Sequence, residues 1–300
     1  MLRWSIKQRV NAVAGVMTAV LLKVARRFDH RRMSDFLAAV LRRIGPWLPE
    51  HRVGRANLTA AFPEKSPAEI EAILAGVWEN LGRVAADFAH LDRIDIPTVD
   101  RPFSSSVEYE PRSFERFVRL RDSGQGSLIF TAHLGNWELP ARIAAASGVK
   151  TAVLYRRPNI GAAAEAIAKI RHANMGILVP AAPDAPFRLA ALLQEGVHVG
   201  MLVDQHFDRG VEVEFFGRRC KANPTLARLA RHFDCPIQGI RLIRIGEHRF
   251  RAELTDAIPA VRDSSGKVDV QKTMQAVTTV VEQWVRETPE QWLWLHRRWR

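Results

Sequence analysis

The sequence predicts an α/β protein: a mostly parallel central sheet flanked by helices, preceded by an N-terminal helical region. Two observations carry this. From Arg112 onward short apolar runs alternate with helix-length amphipathic stretches, the pattern of βαβ units. Before that point the apolar side chains recur at helical spacing and the strand signal is weak. With 300 residues, 47% of them hydrophobic, the chain is long enough for a sizeable core.

Taken in order, Met1 to about Arg27 reads as a basic, apolar helix with Val13, Val16, Met17, Val20 and Val24 on one stripe. Its uncharged run, Val10 to Leu22, is shorter than the roughly 20 residues a spanning helix needs. The expectation is therefore a helix lying in a membrane interface, with a soluble helix packed on the domain as the alternative. No small-residue cleavage site follows the run, so it does not read as a cleaved signal. Met33 to Ile44 is a second helix, stopped by Gly45-Pro46. Ser66-Pro67-Ala68-Glu69 is a capping box with proline at the first helical position, opening a long helix to about Leu91. Asp95 to Ser106, with two prolines and three serines, reads as a linker, dividing the chain into 1–95 and 96–300.

The α/β part follows. Phe114 to Arg121 is a helix, Leu128 to Ala132 a buried strand, and a helix runs to Ser147. Thr151 to Tyr155 is a strand, Ala162 to Asn174 a helix, Gly176 to Val179 a short strand, Pro186 to Leu193 a helix, and Val197 to Val203 an apolar strand. Val211 to Phe216 alternates before a turn at Gly217. Asn223-Pro224 opens a helix through Arg231. Pro236 to Ile243 and Arg249 to Leu254 form a hairpin around Gly246, and Val270 to Glu287 is a helix.

The formal net charge is +12, and nine of those charges lie before residue 56, where twelve basic side chains face three acids. A polybasic segment beside an apolar helix is drawn to anionic lipid by about 1 kcal/mol per basic residue near the surface. Cys220 and Cys235 lack metal-site or disulfide spacing and read as reduced thiols.

The chemistry centres on Ser127 to Leu139. His133 follows a strand at its carboxyl end, the lip where open α/β sheets bind ligands. His133 and Glu138 would lie about 140° apart on a continuous helix, so they can meet only if Gly135-Asn136 turns the chain. The expectation is that Glu138 holds one ring nitrogen of His133 and leaves the other to take a proton from a hydroxyl. That is a general base with an orienting carboxylate, and the substrate alcohol is the nucleophile. Two residues that merely cap neighbouring elements are the alternative.

His-Leu-Gly-Asn-Trp-Glu, residues 133–138, resembles the signature of the lipid A late acyltransferases, the lauroyl and myristoyl transferases of the lysophospholipid acyltransferase superfamily. Most glycerolipid members carry Asp where Glu138 stands. Tyr155-Arg156-Arg157-Pro158 resembles the family's Tyr-Arg-Pro block with one extra arginine, and Arg171 with Gly176 its next basic position. By that resemblance Arg156, Arg157 and Arg171 are phosphate ligands. Read alone, the first two suit a solvated turn and Arg171 a helix C-terminal cation. Glu195-Gly196 with Asp204-Gln205 resembles the third block, and Asp204 is expected to meet an arginine because a buried unpaired carboxylate is costly. Phe215-Phe216-Gly217 with Asn223-Pro224 resembles the downstream block. Phe215 and Phe216 read as core or as an acyl-chain wall. Pro289 to Arg298 is close to the C-terminal signature, and Trp292, Trp294 and Trp299 suit either a membrane interface or a packed aromatic end.

The resemblance implies a membrane-bound enzyme at the cytoplasmic face of a bacterial inner membrane. It would move a fatty acyl chain from acyl carrier protein to a hydroxyl of a lipid A precursor of the Kdo-lipid IVA type, without cofactor or metal. Catalytic roles fall to His133 and Glu138, and substrate contacts to Arg156, Arg157, Arg171, Asp204, Gly135 and Asn136, the last two as backbone oxyanion donors. The alternatives are a lysophospholipid or glycerolipid acyltransferase and a non-enzymatic basic membrane-binding protein. The Glu138 in place of Asp and the C-terminal tryptophan–arginine block argue against the first. Strand ends that converge on His133, Arg156 and Asp204 argue against the second. No Gly-x-Ser-x-Gly, His-Glu-x-x-His or P-loop is present.

Overall fold

Seven strands form the main sheet of the computed structural model, which describes residues 15–156 and 161–299. In chain order they are β1 (Val107–Tyr109), β2 (Leu128–Thr131), β3 (Thr151–Tyr155), β4 (Ile177–Pro180), β5 (His198–Leu202), β8 (Ile237–Gly246) and β9 (Arg249–Leu254). Their spatial order is β1-β9-β8-β2-β5-β3-β4. The run β8-β2-β5-β3-β4 is parallel, β9 turns back against β8 as a hairpin, and β1 runs with β9. The predicted fold class is therefore the observed one. A separate hairpin joins β6 (Val211–Phe215) to β7 (Arg218–Ala222), with Glu212 opposite Lys221 and Glu214 opposite Arg219.

Of the first predicted helix, only the part from residue 15 is described; Arg3, Lys7 and Arg9 lie outside the described residues. This part, α1, is helical over 15–25 and leaves Val16, Met17, Val20, Leu21 and Val24 exposed. The helical region continues with α2 (His30–Ile44), α3 (Pro49–Ala61) and α4 (Pro67–Ala89). α4 opens with the capping box read from the sequence: the Ser66 hydroxyl accepts from the Glu69 amide and Glu69 accepts from the Ser66 amide. No helix among the described residues is long and apolar enough to cross a membrane.

Three elements escape the sequence reading. α3 follows a Pro at its first turn and has only a weak apolar stripe. β1 is three residues long, placed next to a stretch read as linker. β7, Arg-Arg-Cys-Lys-Ala, carries no strand composition and is a strand because β6 pairs with it. The linker stretch itself is pinned: Ile94 and Ile96 are buried, and Asp95 accepts from Arg101 and Ser105. Those donors hold the Asp95 carboxyl down at about 2.

The helices α5 (Pro111–Asp122), α6 (Leu139–Ala146), α7 (Gly161–Asn174), α8 (Ala185–Gln194), α9 (Thr225–Phe233) and α10 (Val270–Glu287) complete the fold. The core divides across the sheet. On one side Leu128 and Phe130 of β2 and Val199 and Met201 of β5 pack with α8, α9, α10, the helices α3 and α4, and the C-terminal tryptophans. On the other, α5 and α6 pack against β8 and β9 through Phe117, Leu139, Ile143, Leu242 and Phe250.

Candidate active site

Parallel pairing of β2 with β5 sets Thr131 opposite Leu202. His133 and Asp204 each stand two residues further on, so the register brings them together at the carboxyl ends of adjacent strands. The ring Nδ1 of His133 lies 2.9 Å from Asp204 Oδ1, and the His133 amide donates to Oδ2 at 2.8 Å. The indole N–H of Trp292 also donates to Oδ2, at 2.8 Å. A carboxylate only accepts, so the proton of the neutral ring sits on Nδ1 and the lone pair on Nε2. Nε2 faces the cleft, where the side-chain amide of Gln205 reaches it at 3.3 Å. Burial pushes the Asp204 carboxyl up, but the adjacent His133 more than offsets it and holds the group well below the usual range. Burial also pushes the nearby His296 imidazole down, partly opposed by the Asp204 charge.

This corrects two expectations. Asp204 meets His133 and Trp292, not an arginine, and Glu138 is not the carboxylate on the His133 ring. Glu138 instead takes a two-pronged contact from Arg171, Nε to Oε2 at 3.0 Å and Nη2 to Oε1 at 2.5 Å. The reason is local. Gly135, at φ 56°, bends the chain so that Glu138 sits at the head of α6 and points across to the last turn of α7. Any side chain at 135 would drive its Cβ to 1.9 Å from the Leu242 carbonyl oxygen, so only glycine makes this bend. Arg171, expected to be open to a phosphate, has its fork occupied by Glu138 and lies over the rings of Phe88 and Tyr155.

Gly135 and Asn136 do not offer free backbone amides. The Gly135 N–H donates to the Gln291 carbonyl at 3.0 Å and that of Asn136 to the Leu242 carbonyl at 2.9 Å. The Asn136 side chain is buried, donating to Asp87 and accepting from the Glu138 amide. Asp87 is itself buried, between Arg244 at 2.7 Å and His30 at 2.7 Å. Desolvation raises its carboxyl, and those two partners more than reverse the shift. The bend after His133 is thus tied to α2, α4 and β8 at once.

The C-terminal segment threads the same place. The Leu293 N–H donates to the His133 carbonyl, Leu134 bridges to Trp292, and the buried Arg298 guanidinium donates to the carbonyls of Gln205 and Lys221. Trp292 and Trp294 are fully buried, so the aromatic end is packed rather than interfacial. Phe215 and Phe216 are buried against them and belong to the core, not to the cleft wall.

The cleft holds about 750 Å³, within the range of small-molecule sites. From His133, Trp137 and Glu138 it runs along the α6 face of the sheet, over Ile129, Gly200 and Val153, and it is largely apolar. Arg156 and Arg209 line its polar end with Gln205. Arg157 lies outside the described residues. Trp292, Gln205 and Arg209 are absent from the sequence-derived site. Gln205 and Trp292 stood inside quoted motifs, but nothing in their spacing ties them to His133; Arg209 carried no signal beyond its position after a strand.

No curated protein matches the chain by sequence. A family model does: the bacterial lipid A biosynthesis acyltransferase model covers residues 4–300, nearly the whole chain. The chain therefore belongs to the bacterial lipid A biosynthesis acyltransferases.

Proposed function

We propose that this acyltransferase moves a fatty acyl chain from an acyl carrier protein thioester to a hydroxyl of a lipid A precursor of the Kdo-lipid IVA type. The observation that carries the reading is the His133–Asp204 pair, with Nε2 open to an apolar cleft. Nε2 takes the proton of the acceptor hydroxyl as that oxygen attacks the thioester carbonyl. Asp204 holds the ring and stabilises the imidazolium that forms. When the carbon–sulfur bond breaks, the same proton passes to the departing thiolate, so the ring is restored and no enzyme ester forms. Gln205, displaced from Nε2 by the hydroxyl, is within reach to donate to the carbonyl oxygen as it gains charge.

Arg156, Arg157 and Arg209 are the basic groups we assign to the phosphates of the acceptor, a role guanidinium suits by its planar fork. The Glu138–Arg171 pair shapes the wall beside His133, and Trp137 lies against the His133 ring at 5.3 Å between centroids. The helical part before about residue 95 serves as the membrane-associating region. Its exposed apolar side chains on α1 and its basic excess suit a peripheral seat on anionic lipid at the cytoplasmic face of the inner membrane.

The test is transfer from an acyl carrier thioester to a purified lipid A precursor, with a lysophospholipid as competing acceptor. His133→Ala should lower the rate by about 10³ and lower the melting temperature, because the buried Asp204 loses its ring partner, while the protein stays folded and vesicle binding is unchanged. Appreciable residual transfer in that variant would remove His133 as the base. Preference for the lysophospholipid would replace the proposed acceptor.

A further inference from the structure

We propose that Gly200, in the middle of β5, sets the length of acyl chain that the cleft accepts; this rests on the acyl-transfer reading above. The cleft floor is the sheet itself. Parallel register puts Gly200 between Ile129 of β2 and Val153 of β3, and all three line the cleft. Ile129 stands four residues before His133, so Gly200 lies about 13 Å of strand from the reacting end. The floor continues two residues deeper, to His198 at the amino end of β5, with Leu120 of α5 on the adjoining wall.

Gly200 is not demanded by its backbone. Its φ is outside the left-handed region, and a Cβ built there meets nothing within 4 Å except the Ala152 carbonyl oxygen, at an ordinary 3.8 Å. A side chain at this position would therefore stand in the cleft without straining the strand. His133, Gly200 and His198 line one continuous cleft, and along β5 Gly200 lies between the His133 end and His198. At the far end the apolar wall gives way to His198, whose Nδ1 is held by the Ser127 hydroxyl at 2.8 Å. Hydrocarbon that passes Gly200 still finds apolar wall as far as that polar stop, and each methylene so buried is worth about fourfold in binding.

The experiment uses the purified full chain, one lipid A precursor, and acyl carrier protein loaded with saturated chains from octanoyl to palmitoyl. The readout is kcat/KM for each length. Gly200→Leu should lower the ratio of long-chain to short-chain kcat/KM by about tenfold or more. Gly200→Ala should move it the same way by less, and Leu120→Ala, at the deep wall, should move it the opposite way. A folded Gly200→Leu protein with the wild-type profile would overturn the assignment. If the leucine variant does not fold, Gly200→Ala carries the test, and an unchanged ratio there counts equally against it. A wild-type enzyme with no length preference also overturns it. A wild-type enzyme that transfers no acyl group of any length defeats the parent reading, and this inference with it.

Discussion

The two faces of β2 and β5 are built from alternate residues of the same strands, and they have opposite characters. On one face Phe130 stacks on Trp284 at 5.6 Å and packs against Leu128, Val199 and Met201, all buried. On the other, Ile129, Thr131, Gly200 and Leu202 are only partly covered and line the cleft. Two glycines make the contrast plain. On the packed face of β8, a Cβ at Gly239 would lie 2.5 Å from the Phe130 ring and 2.8 Å from Trp284. At Gly200 the same atom would meet nothing closer than 3.8 Å. One glycine is there because the face is full, the other where the face is open. The lesson is that a period-two strand can be a core on one side and a binding floor on the other.

That contrast can be broken or sharpened by experiment. The largest expected effect is on the packed face. Phe130→Ala should cost about 3–5 kcal/mol in denaturant unfolding, as large core truncations do, whereas Ile129→Ala, on the open face, should cost clearly less. Equal losses would mean the cleft is as tightly packed as the core. Next, Arg171→Ala leaves the Glu138 carboxylate, 8% exposed, without its partner beside the cleft. A loss of about 2–4 kcal/mol is expected, largely recovered in the Glu138→Gln/Arg171→Ala double variant. No recovery would show that the pair is not what holds that wall. Gly239→Ala should cost about 1–3 kcal/mol by overpacking, while Gly200→Ala should be neutral or slightly stabilising; thermal melts of the two distinguish them directly.

The smallest effect near neutrality is that of pH. Asp87 and Asp204 both have carboxyls held below the ordinary range when folded. Their contribution is complete above the unfolded value, near pH 3.9. It is lost as pH falls through the lower folded values. Stability should therefore be flat in this respect from pH 7 to about 5 and drop steeply below 4. Asp204→Asn should flatten part of that acid limb; an unaltered limb would mean that Asp204 contributes nothing to it.

Much of the fold was readable in the chain. The βαβ alternation, the capping box at Ser66 and the β8–β9 hairpin are local signals, and the structure has each of them. The elements that were missed, α3, β1 and β7, are held by partners remote in sequence and carry little signal of their own. The site divides the same way. His133 at a strand end and a bend at Gly135 are local facts. That Asp204, 71 residues away, faces the ring follows from which strands are neighbours and in what register. Glu138 is the expected partner because a turn at Gly135-Asn136 could fold it back onto the ring and because the motif resembles the family signature, but nearness in the chain is a poor guide to nearness across a parallel sheet. The C-terminal tryptophans were ambiguous for a related reason: the same composition suits lipid and core, and only packing decides.

The weaving of residues 291–298 through the bend after His133 has a consequence for biogenesis. A ribosome delivers His133 and Asp204 long before it delivers Trp292 and Leu293. At chain elongation rates of about 5–20 residues per second, the imidazole waits roughly ten to thirty seconds for the segment that completes its surroundings. The imidazole and its carboxylate are thus both synthesised before the residues that clasp them exist, and the pocket takes its final shape only when Trp292 and Leu293 close onto Asp204 and the His133 carbonyl.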